Sequence, residues 1–157
     1  MITKILVRNR TIMENYFCMS IRVMGNFVKK FLNEKITELG LTSFQCGVLN
    51  YIEHATKAGS VVCQKNLEDF FVTSKSSMSD LLQSLENKGL IIRVSLENGD
   101  SRKKVIKLTK EGIRFSTLSQ KFLDEVEDFY LSSLDEDEKD YLFRILKKFN
   151  ERMEKKG

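Results

Sequence analysis

The chain has 157 residues, 41% hydrophobic and 31% charged, with a formal net charge of +4. This composition suits one folded domain, or one with a helical appendage, and excludes a disordered or fibrous chain. Three scattered cysteines, a single histidine and no C-x-x-C exclude a disulfide framework or zinc knuckle.

Met1 to Arg8 is too charged for the apolar core of a signal peptide, and no apolar stretch approaches the ~20 residues that cross a bilayer. The expected setting is the cytoplasm, with no membrane contact, no metal and no cofactor. Proline is absent, so nothing removes an amide donor from a long helix. From Ile12 to Leu39 apolar residues recur every three or four positions, among them Tyr16, Phe17, Met24, Phe27, Phe31, Leu32 and Ile36. That spacing predicts one amphipathic helix, roughly 40 Å long, more than a small domain's core covers. Part of its stripe should therefore meet a partner subunit.

Leu41-Thr42-Ser43-Phe44-Gln45-Cys46 reads as a capping box, Thr42 with Gln45, flanked by Leu41 and Cys46 as a hydrophobic staple. The second helix runs to about Ala55, Gly59-Ser60 breaks it, and Val61-Val62 makes a short strand. A small third helix, Gln64 to Phe71, turns Leu67, Phe70 and Phe71 inward, with Cys63 where a capping Ser or Thr is usual. Thr73 or Ser74 caps the fourth, whose core face is Met78, Leu81, Leu82 and Leu85, and Gly89 stops it in a left-handed conformation.

Leu90 to Val94 leaves as a strand, Asn98-Gly99-Asp100 turns, and Val105 to Leu108 returns. Thr109 opens a long helix with Ile113, Leu118, Phe122, Val126 and Phe129 on one side. Asp135 with Glu138 forms another capping box, starting a last helix with Leu142, Ile145, Leu146, Phe149 and Met153 inward. Between Arg93 and Lys107 five cations (Arg93, Arg102, Lys103, Lys104, Lys107) face two anions (Glu97, Asp100). A helix followed by a cationic hairpin is the arrangement of a winged helix-turn-helix, one element for the major groove and one for the neighbouring backbone and minor groove.

In this order and spacing the chain resembles the MarR family of bacterial transcriptional regulators from about Leu41 to Gly112. The residues that carry the resemblance are Leu41-Thr42 with Gln45 and Leu49, Leu67, Ser74 to Ser79, and Leu85-Glu86-Asn87-Lys88-Gly89-Leu90-Ile91 with Arg93. The wing pattern D-x-R-x-K-x-x-x-L-T-x-x-G falls on Asp100, Arg102, Lys104, Leu108, Thr109 and Gly112. The resemblance implies a mainly α fold with a small β-hairpin wing, one unit over residues 1–157. The winged helix-turn-helix would occupy 41–109, with dimerisation helices at 12–39 and 110–156. It also implies a triangular homodimer on double-stranded DNA, at a pseudo-palindromic operator with half-sites ~34–36 Å apart. Family members are repressors released by a small phenolic or lipophilic effector, or in some cases by oxidation of a cysteine.

The expected DNA contacts on the fourth helix are Ser74, Lys75, Ser76, Ser77, Ser79 and Gln83, the hydroxyls toward phosphates and Gln83 paired bidentately with adenine. Asp80 departs from the basic residue of many members; it could accept from a cytosine amino group, but an ion pair along the helix surface is the preferred reading, since an acid facing phosphates costs affinity. By resemblance Arg102 enters the minor groove and Asp100 pairs with it, while Arg93, Lys103 and Lys104 meet phosphates. Cys18 lies close to the reactive thiol of the peroxide-sensing members, but Arg22 and Leu32 stand where those members carry tyrosines. Inert packing on an apolar face is the simpler reading of that cysteine. No P-loop, G-x-G-x-x-G, G-x-S-x-G or H-E-x-x-H is present, which argues against an enzyme. Asp80 and the modest net charge leave open a winged-helix module that binds protein without DNA.

Overall fold

The computed structural model describes residues 16–36, 39–95 and 104–155. These form helices α1 (Phe17–Ile36), α2 (Ser43–Lys57), α3 (Gln64–Phe70) and α4 (Lys75–Asn87), strands β1 (Ile91–Ser95) and β2 (Lys104–Leu108), then helices α5 (Lys110–Leu131) and α6 (Glu136–Glu154). The result is mainly helical with a single antiparallel hairpin, as expected. Two compact units part within α5, after Phe122.

In the first unit the core is built from side chains of α2, α3, α4 and the hairpin. Leu49, Ile52, Leu67, Met78, Leu82 and Leu85 are wholly buried, with Ile91 and Ile106 supplied by the hairpin. β1 pairs with β2 from Ile91 opposite Leu108 to Ser95 opposite Lys104. Val61-Val62 does not form a regular strand. It reaches β2 through an isolated bridge at Cys63 and through the Ile106 amide, which donates to the Val62 carbonyl at 2.8 Å. One backbone contact of this kind is too short to propagate a ladder.

The ends of these helices follow from their cap residues. The Gln45 amide N–H donates to Thr42 Oγ1 at 3.1 Å and the Thr42 N–H donates to Gln45 Oε1 at 3.0 Å, closing the box that the sequence predicted. Ser74, rather than Thr73, caps α4. Gly89 has φ +69°, the Leu90 amide donates back to Leu85 and the Gly89 amide to Glu86, so that the last carbonyls of α4 are satisfied. α3 ends in the same way, but on a valine. Val72 has φ +48°, its amide donates to Asp69, and the Thr73 amide donates to Glu68. A β-branched side chain in the left-handed region costs about 1–2 kcal/mol, and no packing offsets it here because Val72 is 91% exposed. Val72→Asn is expected to raise stability by about 1 kcal/mol, a rise of roughly 2–4 °C in Tm. A thermal scan showing no rise would count against the left-handed turn.

Two sets of apolar residues point outward. On α1 only Leu32 and Ile36 are buried, while Phe17, Met19, Ile21 and Met24, and Tyr16 just before it, are exposed; residues 12–15 and 37–38, placed in this helix by the sequence, lie outside the described residues. Phe70, expected inward, is 62% exposed and lies on Tyr51 at 4.5 Å between ring centroids. α3 stops at Phe70, so Phe71 beyond it takes the place against Phe44, at 5.3 Å.

The second unit holds the rest of α5 and α6, the latter started by the predicted box: the Glu138 amide donates to Asp135 Oδ1 at 2.8 Å and the Asp135 amide to Glu138 Oε2 at 3.0 Å. Val126 is buried, but Phe129, placed on the same side of α5, is exposed, as are Leu146, Phe149 and Met153, which were expected inward, and Ile113 in the first unit. Among the described residues no helix is long and apolar enough to cross a membrane.

Candidate nucleic-acid interface

α4 buries Met78, Leu82 and Leu85. At 3.6 residues per turn the opposite side is a single stripe of Ser76, Asp80, Gln83 and Asn87, all exposed. Two amide side chains from other helices hold α4 in place. Gln64 Nε2 donates to the Lys75 carbonyl at 3.2 Å, at the start of the helix, and to Glu68 Oε1 at 2.9 Å. Gln45 Nε2, from α2, donates to Ser84 Oγ at 3.1 Å.

The N-terminus of α4 gathers three hydroxyls. Ser74 Oγ accepts from the Ser77 amide at 3.2 Å and donates to Ser77 Oγ at 2.9 Å, and it lies 3.2 Å from Ser76 Oγ. Exposed hydroxyls and amide donors at a helix start form a natural seat for phosphate oxygens. Of the residues expected to face DNA, Ser74, Lys75, Ser76, Ser77 and Gln83 are exposed and Ser79 is half-buried. Asp80 is exposed but makes no ion pair with any described residue, so the expected surface pair is not formed.

Arg93 differs most from its sequence reading. Instead of standing free for a phosphate, its guanidinium donates to Glu86 Oε2 from Nε at 3.0 Å and from Nη2 at 2.7 Å, and Nη2 also donates to Gln83 Oε1 at 2.9 Å. The Arg93 side chain is only 18% exposed. It ties β1 to α4. Gln83 in turn donates from Nε2 to Asn87 Oδ1 at 2.9 Å, which brings Asn87 into the site. Sequence reasoning missed Asn87 because its residue type alone carried no signal; its position eleven residues after Ser76 was the available clue. Lys104 and Lys107 are exposed on β2. Asp100, Arg102 and Lys103, expected from the sequence to contact DNA, lie outside the described residues.

The root of the wing is closely built. The Thr109 amide donates to the Leu90 carbonyl at 3.0 Å, its Oγ1 donates to the Gly89 carbonyl at 2.7 Å, and the same Oγ1 accepts from the Gly112 amide at 3.0 Å. The spacing Thr-x-x-Gly thus has a mechanical reason. Thr109 caps α5 and fastens the stop of α4 at once, and Gly112 lies against the Leu90 carbonyl.

Behind α4, α2 and the first part of α5 share a polar cluster that the apolar periodicity concealed. Asn50 Oδ1 accepts from Ser116 Oγ at 2.7 Å and Ser119 Oγ at 2.8 Å, all three buried, and Asn50 Nδ2 donates to Gln120 Oε1 at 3.4 Å. His54, which is exposed, stands 3.3 Å from the same Gln120 oxygen. Burial pushes the Cys46 thiol up from 9.0 to about 11, against a smaller lowering by the Ser119 hydroxyl, so it stays protonated at neutral pH and is no nucleophile. Cys63 caps α3 as anticipated, its amide donating to Asn66 Oδ1 at 2.9 Å. Cys18 is exposed on α1, not packed against a core.

No protein-family profile matches the chain, and no curated protein matches it in sequence. Solved structures do. The chain is similar to S. aureus MepR in complex with DNA at 26% identity and a TM-score of 0.76, over 87% of this chain and 98% of that one. It is similar to S. aureus MepR in its DNA-binding conformation at 25% identity and a TM-score of 0.79, over 88% and 98%. A putative MarR family transcriptional regulator from Listeria monocytogenes, complexed with 26mer DNA, matches at 24% identity and a TM-score of 0.79, over 88% and 89%.

Proposed function

We propose that this chain, a winged-helix protein of the MarR family, is a cytoplasmic, homodimeric regulator of transcription that binds a pseudo-palindromic operator in double-stranded DNA. In this reading it is a repressor, released when a small lipophilic or phenolic effector binds, and it performs no catalysis. The observation that carries the reading is α4: an apolar face locked into the core, a wholly polar exposed stripe opposite, and a hydroxyl-lined N-terminus. Solved relatives of similar fold have been captured on DNA. Dimer formation draws support from the apolar residues left outward on α1 and, in the second unit, on α6. Exposed aromatic and aliphatic side chains in such number mark a surface made for a partner. The domain limits proposed are 41–109 for the DNA-binding region and 12–39 with 110–156 for dimerisation.

In this scheme the α4 residues Ser74, Lys75, Ser76, Ser77, Ser79 and Gln83 meet the major groove, Lys103 and Lys104 meet phosphates, and Arg102, held by Asp100, enters the minor groove. Fluorescence anisotropy with the gene's own upstream region, titrated with salt, tests the reading. Wild type should bind with a steep salt dependence. Arg102→Ala should bind operator and random duplex more weakly alike, its slope of log K against log salt shallower by ~0.9 for each phosphate no longer neutralised. A protein that is monomeric in solution, or that ignores every duplex in dilute buffer, overturns the reading.

A further inference from the structure

The contacts of Arg93 fix a direction. A guanidinium can only donate, so the end of the Gln83 amide that faces it must be the oxygen, at 2.9 Å. The Gln83 nitrogen is thereby turned toward Asn87 and donates to its Oδ1 at 2.9 Å. With that oxygen engaged, Asn87 keeps its amino group, and both its hydrogens, for whatever lies beyond the helix. Glu86, gripped by the same guanidinium at 2.7 Å, keeps Arg93 from swinging away. The hydrogen-bond polarity therefore runs one way, from the wing strand along the outer stripe of α4, and ends in a donor. A free carboxamide has no such sense. Half a turn about its last bond exchanges oxygen for nitrogen, so it accommodates a base edge of either kind.

We propose that Arg93 is a positioning residue for sequence discrimination, polarising the Gln83–Asn87 amide pair so that this end of α4 selects bases that display acceptors over cytosine. The acceptors concerned are purine N7, guanine O6 and thymine O4, whereas cytosine shows only its amino group in the major groove. The proposal rests on the reading of α4 as the helix that reads DNA.

Selection from a random duplex pool, followed by competition on the selected site with each base pair changed in turn, tests it on the full-length protein. Asn87→Ala should erase the preference at one position per half-site, and there wild type should reject cytosine on the contacted strand by about tenfold. Arg93→Met should reduce that ratio to about threefold or less and leave the other positions discriminating, and Arg93→Lys, still a donor, should restore part of it. A purely structural Arg93 would weaken all positions equally, and that outcome overturns the proposal. So does a wild-type preference for cytosine at that position, or an Arg93→Met protein with the ratio intact. Should Arg93→Met not fold, Asn87→Asp decides. It still accepts from Gln83 but ends the relay in an acceptor, so the preference should move to cytosine, and no movement overturns the proposal. Failure of wild type to enrich any duplex overturns the DNA reading and this proposal together; enrichment with the wrong base overturns only the polarity.

Discussion

Gly112→Ala should destabilise the protein by about 2 kcal/mol, although glycine to alanine inside a helix ordinarily gains about 0.5–1 kcal/mol. The reversal comes from one short distance. A Cβ on Gly112 would lie 2.0 Å from the Leu90 carbonyl oxygen and 3.0 Å from its carbon. Neither atom can retreat cheaply, because that carbonyl accepts the Thr109 amide and Thr109 also grips Gly89. The added methyl must part α5 from the end of α4, and overpacking of this kind typically costs about 1–3 kcal/mol. Gly25, in α1, provides the opposite control, since nothing lies within 4 Å of its would-be Cβ. Gly25→Ala should be more stable than wild type by about 0.5–1 kcal/mol. Urea unfolding at one fixed protein concentration measures both. A Gly112→Ala protein as stable as wild type would mean that α5 does not approach the wing root as described.

Asn50→Leu should cost about 2–3 kcal/mol, even though leucine fits an apolar environment better than asparagine. Asn50 Oδ1 is the acceptor for two buried hydroxyls, Ser116 and Ser119. Once it is removed, Ser119 can still use the Ser116 carbonyl at 3.0 Å and Ser116 can still turn to the Glu53 carboxylate, but both buried hydroxyls lose the acceptor they share and Gln120 loses the Asn50 amino group. Buried polar groups stripped of part of their hydrogen bonding are costly, whereas deleting all the partners together is close to neutral. The triple variant Asn50→Leu, Ser116→Ala, Ser119→Ala should therefore recover most of the loss. Strict additivity of the three single changes in urea unfolding would show that the cluster is not a coupled network.

The parts of the fold legible from sequence were those fixed by local chemistry. Thr42 with Gln45, Asp135 with Glu138, Ser74 before α4 and Gly89 after it all satisfy backbone groups within a few residues, so their signatures survive without knowledge of the tertiary structure. The buried face of α4 followed from periodicity for the same reason, except that Leu81 is only half-buried. What stayed hidden depended on partners distant in the chain. Arg93 looked like one more cation in a basic hairpin, and its engagement by Glu86 and Gln83 depends on β1 running back along α4. Asn50 lay within an apolar stripe whose spacing gave no hint that serines 66 and 69 positions later would bond to it. Phe70 followed the inward pattern but falls where α3 ends, and Val72 turns the chain before that pattern can continue. On α6 the periodicity placed Leu146, Phe149 and Met153 inward, whereas all three are exposed.

The clamps on α4 bear on how such a protein can change over generations. With Gln64 fastened near its first turn, Gln45 near its third and the left-handed stop at Gly89, the helix has no slack in which to absorb an extra residue. One codon gained between Ser76 and Gln83 would swing everything downstream by about 100° around the axis. Either Leu82 and Leu85 leave the interior, or the amide pair leaves the outer stripe. Such a change leaves composition and charge almost untouched, so new binding preferences in this lineage should arise by exchange of side chains along the stripe, and length changes should be confined to the wing tip and the chain ends.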